Sequence, residues 1–541
     1  MTDTSNMSVY AEFADACQKY PLRPFVNTLP ETAEIYGIPA GEITYSEAMS
    51  KVETLAARLS DAGYGRGHRV MLLLENRPAF FIWWLALNKL GASVVPINPY
   101  LRTSEIAYIT NHAEPALAVA ISQRIENLRE AVGQTDVSLQ VVGLDEQIPA
   151  PRSNAALALR EGSRENCEAA LLYTSGTTGQ PKGCILTNTY FLEAGEWYST
   201  TGGLCALENS GERMITPLPI FHMNAMAYSF MAMVAVGGCL TILDRFHPRS
   251  WWKSVRDSRA TCLHYLGVMP SMLMGAKPNS EEKFPTVKFG FGAGVDPKIH
   301  DEFESRFGFP LVEAWAMTET GAGAVICANR LPRRTGESCL GAPEANLEIK
   351  IVDDAGQQVS SGSGELLVRR AGANPRHGFF AGYFKNQAAT DEAWLDNWFH
   401  TGDIVRQEID GSMFFVDRKK NVIRRSGENI AAVEVESVLL KHPAIRSIGV
   451  TSVPDPIRGD EVFACVVVDK SRNADMVKDI MEWSLQQIAY YKVPGFIAFV
   501  DALPMTSTQK VQRATLKAQA AELLIAGAVF DTRHMKKRVA A

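Results

Sequence analysis

The sequence predicts an α/β protein: a large N-terminal domain of parallel α/β sheets with a β-barrel-like subdomain, followed by a small α+β C-terminal domain. Three observations lead there. Through most of the first 345 residues, apolar runs of strand length alternate with stretches of helical periodicity, and strand–helix–strand connections of this length build parallel sheets. After about residue 345 the rhythm changes to strand pairs joined by turns. A chain of 541 residues also exceeds the size at which one core keeps growing, so two or more domains are expected.

The elements follow in order. Val52, Leu55, Ala56 and Leu59 recur at helical spacing behind Ser46, an expected N-cap, and Gly63 stands where a helix C-terminus favours glycine. The continuous apolar run 70–74 reads as a buried strand. Pro78 suits the first turn of a helix that carries Trp83, Trp84 and Leu87 toward Gly91, and 93–97 reads as the next strand. From Met214 to Leu243 there is no Asp, Glu, Lys or Arg, a length that raises the question of a membrane span. Pro217, Pro219, His222, Asn224 and Gly237-Gly238 interrupt it, so a buried strand, loop, helix and strand are expected, and no transmembrane helix. The alternation returns at 261–275 and 287–313. Strands at 347–352, 364–369 and 413–417, with a turn at Asp353-Asp354-Ala355-Gly356, make the barrel-like part. Strands at 445–450, 462–468 and 497–500 and a helix over 475–491 make the small domain. The boundary is expected at the charge cluster Asp417-Arg418-Lys419-Lys420, dividing residues 1–419 from 420–541.

Composition excludes several classes of protein. Hydrophobic residues at 46%, charged residues at 21% and a formal charge of -6 fit a globular enzyme and give no reason to expect nucleic acid or an anionic membrane as partner. The nine cysteines include no C-x-x-C pair and no His/Cys cluster at zinc spacing, which suits a reducing compartment. The N-terminal residues show no basic stretch followed by an apolar one, so a cytoplasmic location is expected. A homo-oligomer is compatible with these features.

Residues 173–183 read YTSGTTGQPKG and lie between the apolar runs 169–172 and 184–186. Gly176, Gly179 and Gly183 let main-chain N–H groups approach an anion closely. Thr174, Ser175, Thr177 and Thr178 add hydroxyl donors, Lys182 adds a mobile charge, and Pro181 stiffens the approach to that lysine. Such a loop handles phosphate. A Walker loop is excluded, because it needs Gly before its lysine and Ser or Thr after it, where this chain has Pro181 and Gly183. The dinucleotide spacing G-x-G-x-x-G fails as well.

The segment resembles the phosphate-binding loop of the adenylate-forming superfamily, which contains acyl-CoA synthetases, the adenylation domains of nonribosomal peptide synthetases and firefly luciferase. Further segments resemble the family's motifs, in the family's order, across nearly the whole chain. Pro217-Leu218-Pro219-Ile220-Phe221-His222 implies that His222 walls and gates the acid pocket. Met223, Asn224, Met226, Phe289, Phe291, Ala314 and Met317 are the other candidates there. They form a mostly apolar set with no carboxylate for a trimethylammonium group, although aromatic faces also hold cations. Gly292, Ala293 and Gly294 resemble the small-residue turn under adenine. Trp315-Ala316-Met317-Thr318-Glu319-Thr320 implies Trp315 stacked on adenine, Thr318 on phosphate and Glu319 on Mg²⁺. Ala316 stands where the family has glycine.

In Trp398-Phe399-His400-Thr401-Gly402-Asp403 the resemblance implies that Asp403 accepts both ribose hydroxyls. It likewise implies Arg418 as a ribose or phosphate contact, Lys420 as the hinge, and Ser426, Gly427 and Glu428 as the loop brought to the CoA side. Lys510 would bridge the carboxylate and the α-phosphate, with Gln509 where the family commonly has glycine. The implied reaction joins a small carboxylic acid to coenzyme A with ATP and Mg²⁺, through an acyl-adenylate and an alternation of the two domains. Loading of a carrier-protein phosphopantetheine in trans is an alternative, and Ala316 and Gln509 keep a nucleotide-binding protein without transfer activity in view. Arg424-Arg425-Ser426-Gly427-Glu428-Asn429 and Asp455-Pro456-Ile457-Arg458 look closest to the branch of carnitine and crotonobetaine CoA ligases.

Overall fold

The computed structural model describes residues 7–152, 163–174, 180–278, 282–353, 355–359, 362–418, 422–468, 472–504 and 511–537, with the backbone alone at 417, 418 and 514. Within them the run Val70-Met71-Leu72-Leu73 is fully buried, which demands a sheet covered on both faces. It sits in a seven-stranded sheet ordered Gly382–Tyr383, Lys182–Thr187, Glu168–Thr174, Ser93–Pro96, Arg69–Leu73, Leu117–Ala120 and Val141–Gly143. The five strands from Glu168–Thr174 onward run parallel, and the first two add antiparallel.

An eight-stranded sheet lies beside it, ordered Ile326–Cys327, Leu311–Trp315, Phe289–Ala293, Cys262–Leu266, Arg213–Thr216, Cys239–Ile242, Pro24–Thr28 and Gly41–Thr44. Only its two edge pairs are antiparallel. Helices Pro78–Lys89, Asn188–Thr200 and Phe230–Val236 share one apolar core with both sheets. Phe81 stacks on Phe230 with ring centroids 4.5 Å apart, and Trp84 meets Phe191 edge-on at 4.8 Å. Full burial of a ring such as Phe81 contributes about 2–3 kcal/mol.

The helix Tyr45–Asp61 buries Ala48, Val52, Leu55, Ala56 and Leu59, as the periodicity predicts. Its N-cap, however, is Thr44 and not Ser46. The Thr44 hydroxyl accepts from the Glu47 N–H while the Glu47 carboxylate accepts from the Thr44 N–H, a reciprocal cap that leaves Ser46 inside the first turn. The charge-free stretch resolves into the strand Arg213–Thr216, a π-helical turn Asn224–Ser229, the helix Phe230–Val236 and the strand Cys239–Ile242. No described helix is long and apolar enough to cross a membrane.

A curled antiparallel sheet follows, ordered Cys339–Gly341, Met413–Arg418, Trp398–Gln407, Gly362–Arg370 and Leu347–Val352. Residues from 422 onward form a fourth sheet around Gly459–Val468, covered by helices Ala432–Leu439, Ala474–Gln487 and Arg513–Ile525. This part has buried clusters of its own, built on Val435, Val450, Ile480 and Phe463 among others. The expected division at 419/420 lies outside the described residues. The fold is the mixed α/β architecture that the sequence predicts.

Polar contacts tie the two parts together. Lys492, buried, donates to Glu105 and Glu434 at 2.6 Å each, and Glu105 also accepts the Ala489 N–H at 3.0 Å. Asn98 donates to the Tyr491 hydroxyl at 3.2 Å, and the Ser104 hydroxyl donates to the Gln487 carbonyl at 3.1 Å.

Candidate active site

Parallel strands end together, and their C-terminal ends leave a crevice in which ligands of open α/β sheets bind. Here Cys262–Leu266, Phe289–Ala293 and Leu311–Trp315 end at a cavity of about 490 Å³, contributing Leu266, Phe291, Gly292, Ala293 and Ala314 to its wall. The curled sheet adds Glu365 and residues 399–403, and the C-terminal part adds Val422, Arg424, Gly427 and Asn429.

Thr174 and Lys182 are register partners at the ends of an antiparallel pair, and both line the cavity. Ser175, Gly176, Thr177, Thr178 and Gly179, which join them, lie outside the described residues. The Lys182 ammonium stands 4.2 Å from the centre of the Tyr383 ring. The Tyr383 hydroxyl donates to Glu319 Oε1 at 2.8 Å. Burial and the neighbouring Glu319 carboxylate push the Tyr383 pKa well up, so the hydroxyl stays protonated and acts as a donor. Thr318, Glu319, Ala316 and Met317 line the same wall.

Gly292 has no room for a side chain, since a Cβ there would meet the Tyr265 carbonyl oxygen at 2.2 Å. The following turn is held by Glu313, a residue the motif reading did not single out. Its carboxylate accepts the N–H groups of Gly294 and Val295 at 3.0 and 2.9 Å and the Tyr265 hydroxyl at 3.0 Å. The signal was present as a lone carboxylate in the apolar strand Leu311–Trp315.

Four of the expected residues stand off the cavity wall. Trp315 is not on the cavity wall: strand alternation turns it away from the side of Ala314, it is buried, and its indole N–H donates to Asp403 Oδ2 at 2.8 Å. It therefore orients Asp403, which does line the cavity. Gly294 is absent from the wall too, with its N–H taken by Glu313. Phe289 points to the same side of its strand as Phe291, but two residues nearer the strand start it lies below the cavity, against Tyr198. Met226 is buried inside the π-helical turn. His222, Met223, Asn224, Phe291, Ala314 and Met317 do meet at the cavity, joined by Leu218, Tyr228 and Leu266.

Behind this pocket lies His264, fully buried. One ring nitrogen is 2.9 Å from the Tyr198 hydroxyl, and the other is 2.7 Å from Asn224 Oδ1 and 2.8 Å from the Ser229 hydroxyl. Burial alone lowers its pKa to about 3, so the imidazole is neutral. Below about pH 6.5 the unfolded chain takes up a proton that the native ring refuses, so stability falls as pH drops from about 6.5 toward 3. The slope from this group reaches about 1.4 kcal/mol per pH unit. Urea midpoints between pH 7 and 4 are expected to fall more steeply for the wild type than for His264→Gln, and parallel slopes would contradict this.

The loop of Ser426, Gly427 and Glu428 reaches the cavity from the C-terminal part. Gly427 has φ +89°, and a Cβ there would meet Leu266 Cδ1 at 2.1 Å. Glu428 Oε2 lies 3.3 Å from His222 Nε2 without hydrogen-bond alignment, so this buried nitrogen has no hydrogen bond among the described residues. The buried Ser426 hydroxyl likewise has none, while its backbone N–H donates to the Arg458 carbonyl at 2.9 Å. Lys510 and Lys420 lie outside the described residues, and Arg418 is described by its backbone alone, paired in register with Asp403.

This fold, with a cavity between an α/β body and a C-terminal part, defines an adenylate-forming enzyme of the AMP-forming acyl-CoA synthetase type. The AMP-binding enzyme model matches residues 13–384, and the AMP-binding enzyme C-terminal domain matches residues 434–510. The chain belongs to the AMP-binding enzyme family. Among curated relatives, the crotonobetaine/carnitine–CoA ligase of Citrobacter koseri is 29% identical over 493 residues, covering 88% of this chain and 93% of that protein. Among solved structures, o-succinylbenzoate CoA synthetase from Bacillus subtilis superposes with a TM-score of 0.77 at 23% identity, over 94% of this chain and 98% of that one. The amide bond synthetase McbA from Marinactinospora thermotolerans gives 0.78 at 22% identity, over 95% and 99%.

Proposed function

We propose that the chain joins a carboxylic acid to coenzyme A, consuming ATP and releasing AMP and pyrophosphate through an acyl-adenylate. The observation that carries this reading is the convergence of Lys182, Glu319, Asp403 and Gly427 on one cavity, from three sheets and the C-terminal part. A carboxylic acid does not react with a thiol, because hydroxide is a poor leaving group. Attack of the carboxylate on the α-phosphorus expels pyrophosphate, and AMP then becomes the group that a thiol displaces.

Lys182 and the hydroxyl loop take the departing phosphates, and Asp403, oriented by Trp315, takes the ribose hydroxyls. Glu319 suits a Mg²⁺ ion: its hard oxygen donors sit beside Lys182 and Thr318, and a cation that shares substrate phosphates needs only one or two protein carboxylates. Its charge would offset that of the triphosphate. Lys510 is proposed to align carboxylate and α-phosphate, and the 426–428 loop to serve thiol attack, with Lys420 as the hinge between the two arrangements.

The test is acid-dependent exchange of labelled pyrophosphate into ATP, followed by acyl-CoA formation with free CoA. Both are expected. Exchange without acyl-CoA would favour a carrier-bound thiol as acceptor, and absence of exchange with every acid would overturn the reading. Lys510→Ala is expected to slow exchange about 100-fold or more while sparing thioester formation from supplied acyl-adenylate. Equal losses in both steps would refute that division. Gly427→Val, which adds strain at φ +89° and a clash with Leu266, is expected to do the reverse, lowering thioester formation about 10-fold with exchange nearly unchanged.

A further inference from the structure

The acid pocket contains a polar device that no motif announces. His264 is neutral and so carries one ring proton. Asn224 Oδ1 only accepts, so that proton is on Nδ1, and the Tyr198 hydroxyl donates to Nε2. The relay from Tyr198 through His264 to Asn224 fixes the asparagine amide with its oxygen turned inward. Its other arm, the Nδ2 amino group, belongs to a residue on the cavity wall and has no hydrogen-bond partner among the described residues. Among the described residues, the side chains that bond to His264 or pack on its ring are Tyr198, Asn224, Ser229 and Phe291, none of them charged. Burial is the sole cause of the low imidazole pKa, so no carboxylate stands near enough to offset it.

Resting on the acid-activating reading above, we propose that Asn224, positioned by His264, determines acid specificity. It selects carboxylic acids whose apolar body carries an uncharged oxygen acceptor, such as a ketone, ether or hydroxyl. A trimethylammonium group offers no acceptor and would leave the amide donor buried and unpaired beside a cation. A second carboxylate held at Asn224 would face a neutral donor instead of a cation. At the Asn224 end of the pocket the group recognised is thus an uncharged acceptor, whereas the relative at 29% identity is a crotonobetaine/carnitine–CoA ligase.

The experiment compares kcat/KM for straight-chain acids, for the same acids with one methylene replaced by a ketone at successive positions, and for trimethylammonium acids of equal length. The best oxo-acid is expected to exceed its parent by about 10-fold or more, mainly through KM, with the trimethylammonium acids slowest. Asn224→Leu should erase the preference, bringing kcat/KM on the best oxo-acid down to that on its parent acid. His264→Leu should erase it too, whereas His264→Gln, which keeps an N–H donor toward Asn224, should retain it. Equal rates for oxo and parent acids, a preference for trimethylammonium acids, or a preference surviving in Asn224→Leu would overturn the proposal. The wild-type comparison decides the matter should a variant fail to fold. Activity without preference refutes this proposal alone, whereas no exchange or thioester with any acid refutes the ligase reading and this proposal with it.

Discussion

Lys492→Met is expected to lower thioester formation by roughly 100-fold or more while pyrophosphate exchange falls far less. Lys492 is buried between Glu105 of the N-terminal body and Glu434 of the C-terminal part, at 2.6 Å from each. Burial disfavours its charge, yet the two carboxylates outweigh that and hold its pKa above the ordinary lysine value. Burial raises the pKa of Glu434, whose Oε2 has no hydrogen bond among the described residues, so this carboxylate depends on the lysine. Removing the cation leaves the buried Glu434 carboxylate facing the partly buried one of Glu105. Breaking such a pair from one side costs about 3–5 kcal/mol. That cost falls on the arrangement in which Gly427 rests against Leu266, because Glu105 and Lys492 belong to different parts of the fold. Single-turnover rates from supplied acyl-adenylate, set beside exchange rates, measure it, and an equal fall in both would show that the triad does not favour one arrangement over the other.

Glu168→Ala is expected to destabilise the N-terminal body by about 3–5 kcal/mol, seen as a lower urea midpoint with an unchanged m value. Glu168 takes Arg69 in a two-point contact at 2.7 Å on each oxygen, with both side chains at 1% exposure or less, and also accepts the Ser93 hydroxyl at 2.8 Å. These residues start three adjacent strands, and Glu168 begins the one that ends at Thr174 on the cavity wall. Without the carboxylate the Arg69 guanidinium loses its counter-ion, and among the described residues it keeps a long contact to the Ala113 carbonyl at 3.5 Å and the face of Phe384. The double variant Arg69→Met, Glu168→Leu should recover most of the loss, since it buries no charge. A double variant as unstable as Glu168→Ala would place the cost in packing instead.

Much of the fold was legible because it rests on local pattern. Apolar runs such as 70–73 and the helical spacing of Val52, Leu55, Ala56 and Leu59 state which face is buried, whatever the partner. Thr44 escaped notice as an N-cap because the apolar spacing does not separate it from Ser46, and the reciprocal bond with Glu47 decides between them. On the wall, Lys182 was legible from the glycines and hydroxyls of its own loop, whereas Gly292, Thr318 and Glu319 were legible only through the resemblance of their segments to family motifs.

The sequence by itself determined the class of enzyme, because close approach to phosphate constrains residue type at each step along one loop and the later motifs stand in the family's order. Only the tertiary structure decided that Trp315 serves Asp403 rather than the cavity, that Glu313 holds the turn at Gly294, and that His264 orients Asn224. Each of those depends on which strands and helices lie side by side. A hydrogen bond across 40 or 88 residues leaves no periodicity in the chain, since its two ends are brought together by the packing of the sheets and by nothing local to either residue.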